Sequence, residues 1–280
     1  MFLTGNVKGC FVKGYRKACI GYNKLFKHLK VIPVSKFHNL DPEEYCWRYA
    51  EWEMEKAREF DMKFAPYLDI KGKIVLDLGC GFGGQSIYMA LNGAKKVYGV
   101  DVDPRRVEFS RKLAEKYRIS DRVTFLLSTD KTLPLQDEIL DIIIMNDVFE
   151  HLIYPKEILE ECHRVLKRNS QVFISFGPPW YHPYGSHLKS IFPGPWSHLL
   201  FPEKVIVGIR NDIKRDGAGD KYEDIGLAKM SVRKFRRLIY QSKFKVAYFD
   251  IHMVKDIYPL KHVPIIKELF CNEVRCILEK

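Results

Sequence analysis

The 280-residue sequence predicts an α/β fold, a doubly wound and mostly parallel sheet of seven strands behind a helical N-terminal extension. Two observations carry this expectation. From Lys73 onward short apolar runs alternate with segments of helical composition, which is how strands covered by helices on both faces read. The first run also ends in a cluster of glycines, Gly79, Gly81, Gly83 and Gly84, where a strand must turn sharply into a helix.

The extension is basic and amphipathic. Between residues 11 and 30, Phe11, Tyr15, Ala18, Tyr22, Leu25, Phe26 and Leu29 recur at a helical period, while Lys13, Arg16, Lys17, Lys24, Lys27 and Lys30 take the other side. Gly14 and Gly21 lie inside that helix and each costs roughly 1 kcal/mol relative to alanine, so a supporting surface is expected. The chain carries a formal net charge of +11, and eight of its cations precede the first acid, Asp41. Basicity therefore belongs to an arm, and nucleic acid is not the expected partner of the main domain. Asp41 and Pro42 then open a second helix that passes Trp47 and Trp52 towards Phe60.

Five strands follow, at 74–76, 97–100, 123–126, 142–144 and 172–174, with helices expected near 84–92, 104–117 and 155–167. Residues 177–230 break the alternation with proline, glycine, histidine and aromatic residues, a composition that points to a folded, substrate-side insertion. A helix from Ser231 to Ser242 and strands at 246–249 and 274–278 complete the sheet. The expected organisation is an extension or lid over 1–65 and a Rossmann-like domain over 66–280. Seven cysteines without a C-x-x-C pair point to a reducing compartment. No apolar run reaches the roughly 18 residues of a membrane span. A cytoplasmic protein is expected, with peripheral membrane contact through residues 11–30 as the alternative to that helix packing on its own domain.

The glycine turn holds the chemistry. Gly79, Gly81 and Gly84 satisfy G-x-G-x-x-G, so a nicotinamide-dinucleotide oxidoreductase is one reading. Asp77, two residues before the first glycine, opposes it: a carboxylate there attracts an ammonium and repels a pyrophosphate. Asp101 ends the second strand, 18 residues beyond Gly83, where it can accept from both hydroxyls of a ribose, and this serves either reading.

The run from Asp141 to Leu152 decides between them. With it, the segment from Val75 to Ser175 resembles the class I S-adenosylmethionine-dependent methyltransferases, particularly the small-molecule branch that includes ubiquinone and menaquinone biosynthesis enzymes. The D-x-G-x-G turn, the acid ending strand two and the Glu150-His151-Leu152 element occur in the family's order. The resemblance implies S-adenosylmethionine as donor and S-adenosylhomocysteine as product. It places Asp77, Gly79, Gly81 and Gly83 around the methionine end, Asp101 on the ribose, Val102 on the adenine face and Asn146 near the sulfonium. The family's acid after strand three aligns with Thr129, leaving Asp130 one place late, and Asp130 is taken as its counterpart.

Methyl transfer demands alignment, exclusion of water and, for a hydroxyl acceptor, a base. His151 is the first candidate for that base, with His187 and Tyr181 of the insertion next and His182 and Tyr184 beside them. Asp147, Glu150 and His151 stand at i, i+3 and i+4, one face of a helical turn, and resemble a divalent-metal group of some ubiquinone-pathway enzymes. The expectation is nevertheless no metal, with a capping acid and a packed histidine instead. The expected acceptor is a small or lipid-like molecule, methylated at oxygen. The alternative is an RNA or protein acceptor held by the basic arm, although no N/D-P-P-Y/F/W element follows strand four.

Overall fold

The computed structural model describes residues 4–28, 37, 40–254 and 263–280. Its elements are α1 (Thr4–His28), α2 (Pro42–Phe64), β1 (Ile74–Leu78), α3 (Gly84–Leu91), β2 (Lys96–Asp101), α4 (Pro104–Lys116), β3 (Val123–Leu127), β4 (Leu140–Asn146), α5 (Pro155–Val165), β5 (Leu166–Phe176), α6 (Ser197–Leu200), α7 (Glu203–Lys214), α8 (Val232–Gln241), β6 (Lys245–Met253), α9 (Pro264–Phe270) and β7 (Cys271–Glu279). No helix among the described residues is long and apolar enough to cross a membrane.

The seven strands form one sheet in the order β3-β2-β1-β4-β5-β7-β6. The pairs from β3 through β5 are parallel, and β7 runs antiparallel to β5, with Phe176 opposite Val274. The dinucleotide-binding order is 3-2-1-4-5-6. Here an antiparallel strand stands between β5 and β6, which separates this sheet from the oxidoreductase reading. Strand order reverses between β1 and β4, so the carboxyl ends of these two neighbours flank the crevice where open α/β sheets bind ligands.

Two compact units are present. The sheet unit comprises Phe37–Phe176, Lys234–Ile251 and Val274–Lys280. Val75, Val97, Ile142, Ile144 and Phe173 fill its core from the strands, and Ile87, Val107 and Leu113 from the helices. In α2, the Asp41 side chain accepts from the Glu43 and Glu44 N–H groups, both at 3.0 Å, and Pro42 opens the first turn. That helix buries Ala50, Ala57, Phe60 and Phe64. Phe64 meets Phe173 of β5 edge to face at 5.5 Å.

The insertion unit comprises Met1–Lys36, Gly177–Arg233 and His252–Glu273. Cys19, Trp180, Phe192, Val205, Ile206, Ile209, Tyr222 and Leu227 make its core. Residues 177–230 are more regular than their composition suggests: α7 runs for 12 residues and buries Val205, Ile206, Val207 and Ile209 on one side. The N-terminal 65 residues do not act as one extension, because α1 clusters with the insertion and α2 with the sheet. Among the described side chains of α1, Cys19 and Asn23 are buried, whereas Tyr15 and Leu25 of the expected apolar stripe are exposed. Leu29 and Lys30 lie outside the described residues, as does the Phe11 side chain. The surface that supports α1 selects a face of its own: Asn23 Oδ1 accepts from the Gly194 N–H at 2.8 Å and the Ser197 hydroxyl at 3.1 Å, and Arg16 pairs with Asp212.

Candidate functional site

The site grows from the turn between β1 and α3. Gly79, Gly81 and Gly83 all have positive φ (74°, 56° and 87°), and the Gly79 and Cys80 N–H groups both donate to the Val100 carbonyl of β2. Sequence reasoning assigns these glycines to ligand approach; the structure adds a second cause. A Cβ on Gly84 would collide with the Ala50 carbonyl oxygen of α2, and one on Gly81 with the Glu53 carboxylate. The turn is glycine-rich in part because α2 lies directly against it.

Asp77 ends up behind the turn. Its Oδ1 accepts from Gln85 Nε2 at 2.9 Å and its Oδ2 from the Ser86 hydroxyl at 2.6 Å, and the residue is 2% exposed. Burial pushes its pKa up to about 6, against the lowering effect of these hydrogen bonds, and the neighbouring Asp101 adds to the rise. The carboxylate expected to meet an ammonium, directly or through water, is thus a buried group held by Gln85 and Ser86. Gln85 continues the network, its Oε1 accepting from Asn146 Nδ2 at 2.8 Å, so the tips of β1, α3 and β4 are tied through Asp77, Gln85 and Asn146.

At the end of β2, Asp101 Oδ2 accepts from the Gly81 N–H at 3.0 Å and Oδ1 from the Asp103 N–H at 2.9 Å. Arg106 of α4 lies 3.7 Å from Oδ2. Val102, the next residue, is exposed. Beyond β3, Thr129 is occupied with its own turn, its hydroxyl accepting from the Lys131 and Thr132 N–H groups, while Asp130 is exposed.

Glu53 is the site residue that sequence reasoning missed. From the middle of α2 its Oε1 accepts from the Phe82 N–H at 3.1 Å and its Oε2 from the Gly84 N–H at 2.9 Å. Gly83, the cap residue of α3, has no side chain to satisfy these donors, so a carboxylate from another helix caps α3 instead. Burial pushes Glu53 up to about 8, more than the two N–H groups lower it. Tyr45 and Tyr49 precede it on the same face and pack on Phe82, with ring centroids at 6.1 and 5.4 Å. The signal was the i, i+4, i+8 spacing of Tyr45, Tyr49 and Glu53, a lone acid ending an aromatic stripe.

The catalytic candidates divide. His151 is exposed and closes a three-residue 3-10 turn, Phe149–His151, just past β4. Asp147 sits at φ 55°, outside any helix, so Asp147, Glu150 and His151 do not share one helical face, whereas buried Glu150 and exposed His151 keep ligand atoms within 4.8 Å of one another. In the insertion unit His182 Nδ1 accepts from the Tyr184 N–H at 3.1 Å, and burial pushes its pKa down to about 4. His187 Nε2 contacts the Pro178 carbonyl at 3.0 Å, and the Tyr184 hydroxyl lies 3.4 Å from the Pro193 carbonyl. These contacts lie within the insertion itself. Tyr181 keeps an exposed side chain while its carbonyl accepts from Trp196 Nε1.

Residues 76–174 match the family model described as "Methyltransferase domain". A ribosomal protein L11 methyltransferase of Pasteurella multocida (strain Pm70) is 33% identical over 108 residues, covering 39% of this chain and 35% of that protein. The chain thus spans about a third of that curated relative. Among solved structures, a SAM-dependent methyltransferase from Aquifex aeolicus aligns with a TM-score of 0.53 and 17% identity, over 86% of this chain and 100% of that one. Geranyl diphosphate C-methyltransferase from Streptomyces coelicolor A3(2), solved with Mg2+, geranyl diphosphate and S-adenosyl-L-homocysteine, aligns with a TM-score of 0.55 and 14% identity, over 95% and 97% of the two chains. At these identities the two structures speak for the fold, while the family model speaks for the segment that bears the glycine turn. Residues 76–174 thus carry a methyltransferase domain.

Proposed function

We propose that this chain transfers a methyl group from S-adenosylmethionine to a small or amphiphilic acceptor, at oxygen. The observation that carries the reading is the acid-lined glycine turn at the carboxyl ends of adjacent β1 and β2. The residues present suit this donor: Asp101 for the ribose hydroxyls, exposed Val102 for the adenine, Asn146 beside the turn, and buried Asp77 for the positive end. When bound, the donor supplies an electrophilic methyl group. The work left to the chain is to orient an acceptor oxygen, keep water away and take up its proton. His151, exposed just beyond β4, is assigned that proton.

An amphiphilic acceptor is supported by the surface of α1. Lys13, Lys17, Lys24 and Lys27 are exposed there together with Val12, Tyr15, Ile20 and Leu25, a mixture suited to an anionic membrane surface. The name of the curated relatives favours a second reading, a protein acceptor. A methyl-transfer assay with labelled donor against hydroxylic small molecules, lipid extract, ribosomal protein and RNA separates these. The proposal expects label in the first two; label confined to protein or RNA overturns it. His151→Ala is expected to lower turnover about a hundredfold with donor affinity retained. An unchanged rate removes His151 from the mechanism.

A further inference from the structure

Three carboxylates close on the glycine turn, and they are not equivalent. Asp77 and Asp101 belong to the strands that the family motif marks, whereas Glu53 arrives from α2, and both of its oxygens lie on the turn's own N–H groups. A carboxylate capping a helix N-terminus is favourable in itself. A third acid beside two others is not, because like charges raise one another's cost in a buried place. Asp77 acts on Glu53 in this way. Arg106 offsets part of the charge from α4, near Asp101 and with its guanidinium 5.8 Å from the Phe82 ring. An assembly of buried acids around one turn is stabilised when a cation enters it.

We propose that Glu53 is the third carboxylate of the donor site and biases it towards the cationic donor over the neutral demethylated product. The inference rests on the S-adenosylmethionine reading and deepens it. Donor and product share their adenosine and amino-acid ends and differ by the methyl group and the sulfonium charge. A residue that favours one over the other must therefore act through that charge. Glu53 does so at the junction of α2 and the turn, so it tightens donor binding and hastens product exchange without touching the acceptor.

The groups facing Glu53 make the effect readable by pH. On its own helix are Tyr45 and Tyr49, on β1 Asp77, in the turn Cys80, and on α4 Arg106. Burial holds the Cys80 thiol and the Tyr49 phenol, the latter pushed up to about 12, uncharged near neutrality. Asp77, raised to about 6, is ionised mainly before Glu53, raised to about 8. A cation lowers the pKa of a nearby acid, so donor binding releases protons that product binding does not.

The test is titration calorimetry of the full chain with S-adenosylmethionine and with S-adenosylhomocysteine, in buffers of different ionisation enthalpy. The expected result is greater proton release with the donor. The product-to-donor Kd ratio is expected to rise about tenfold between about pH 6.5 and about pH 8.5. Glu53→Gln flattens that rise and weakens donor more than product, and Glu53→Asp, which keeps the charge, restores the pH response. Equal proton release for the two ligands, or a Glu53→Gln protein with the wild-type pH response, overturns the proposal. Failure of both ligands to bind is a different result and overturns the donor reading beneath it.

Discussion

The polar groups buried in the two units differ in kind. Around the glycine turn of the sheet unit they include two carboxylates, Asp77 and Asp101, with half-buried Glu53 beside them, held by backbone N–H groups or by neutral side chains. In the insertion unit they are neutral: Asn23 joins Gly194 and Ser197, His198 Nε2 meets the Trp180 carbonyl at 2.6 Å, and His182 takes the Tyr184 N–H. Buried charge is costly and buried neutral groups need only partners. The sheet unit thus retains an electrostatic preference for a cation, while the insertion unit spends its polar groups on assembling distant segments.

The contrast can be broken in order of effect. Gly84→Val, which drives a side chain into the Ala50 carbonyl, is expected to cost about 3 kcal/mol and to abolish donor binding. Chemical denaturation and calorimetry check both, and a stable, donor-binding variant would refute the close approach of α2. Asn23→Leu leaves the Gly194 N–H without its acceptor, while the Ser197 hydroxyl keeps the Gly194 carbonyl at 2.8 Å, and is expected to cost about 2 kcal/mol. Hydrogen exchange should then rise in residues 177–230, while the glycine turn keeps its protection.

A smaller effect comes from pH. Glu53 and Asp77 have folded pKa values above their ordinary 4.5 and 3.8, so the ligand-free sheet unit loses stability as pH rises towards about 8. His182 and His198 have folded values below their ordinary 6.5, so the insertion unit loses stability as pH falls from 6.5 towards about 4. Acidification from about pH 7 to about pH 5 should therefore loosen residues 177–233 and firm the glycine turn, in exchange data corrected for intrinsic rates. Parallel loosening of both would contradict the contrast.

Much of the sheet unit was legible because its signals are local. The five parallel strands, the turn from Asp77 to Gly84 and the acid at Asp101 are each written in a few adjacent residues, and the structure brings them together. Glu53 was not legible, since its role depends on Phe82 and Gly84, about thirty residues away. The face of α1 was misread for the same reason: Asn23, polar by composition, is buried by partners at 194 and 197, while Leu25 is exposed. In α7 the apolar period of Val205, Ile206 and Ile209 was visible but overshadowed by the proline and aromatic residues before it.

The chemistry proposed for this chain rests on an acid-lined glycine turn that binds a sulfonium donor. Titrating the purified chain with S-adenosylmethionine tests it most directly. Saturable one-to-one binding, weakened about tenfold or more by Asp101→Ala, is the predicted result. A folded protein that gives no binding heat with S-adenosylmethionine or with S-adenosylhomocysteine, at several temperatures, would contradict it.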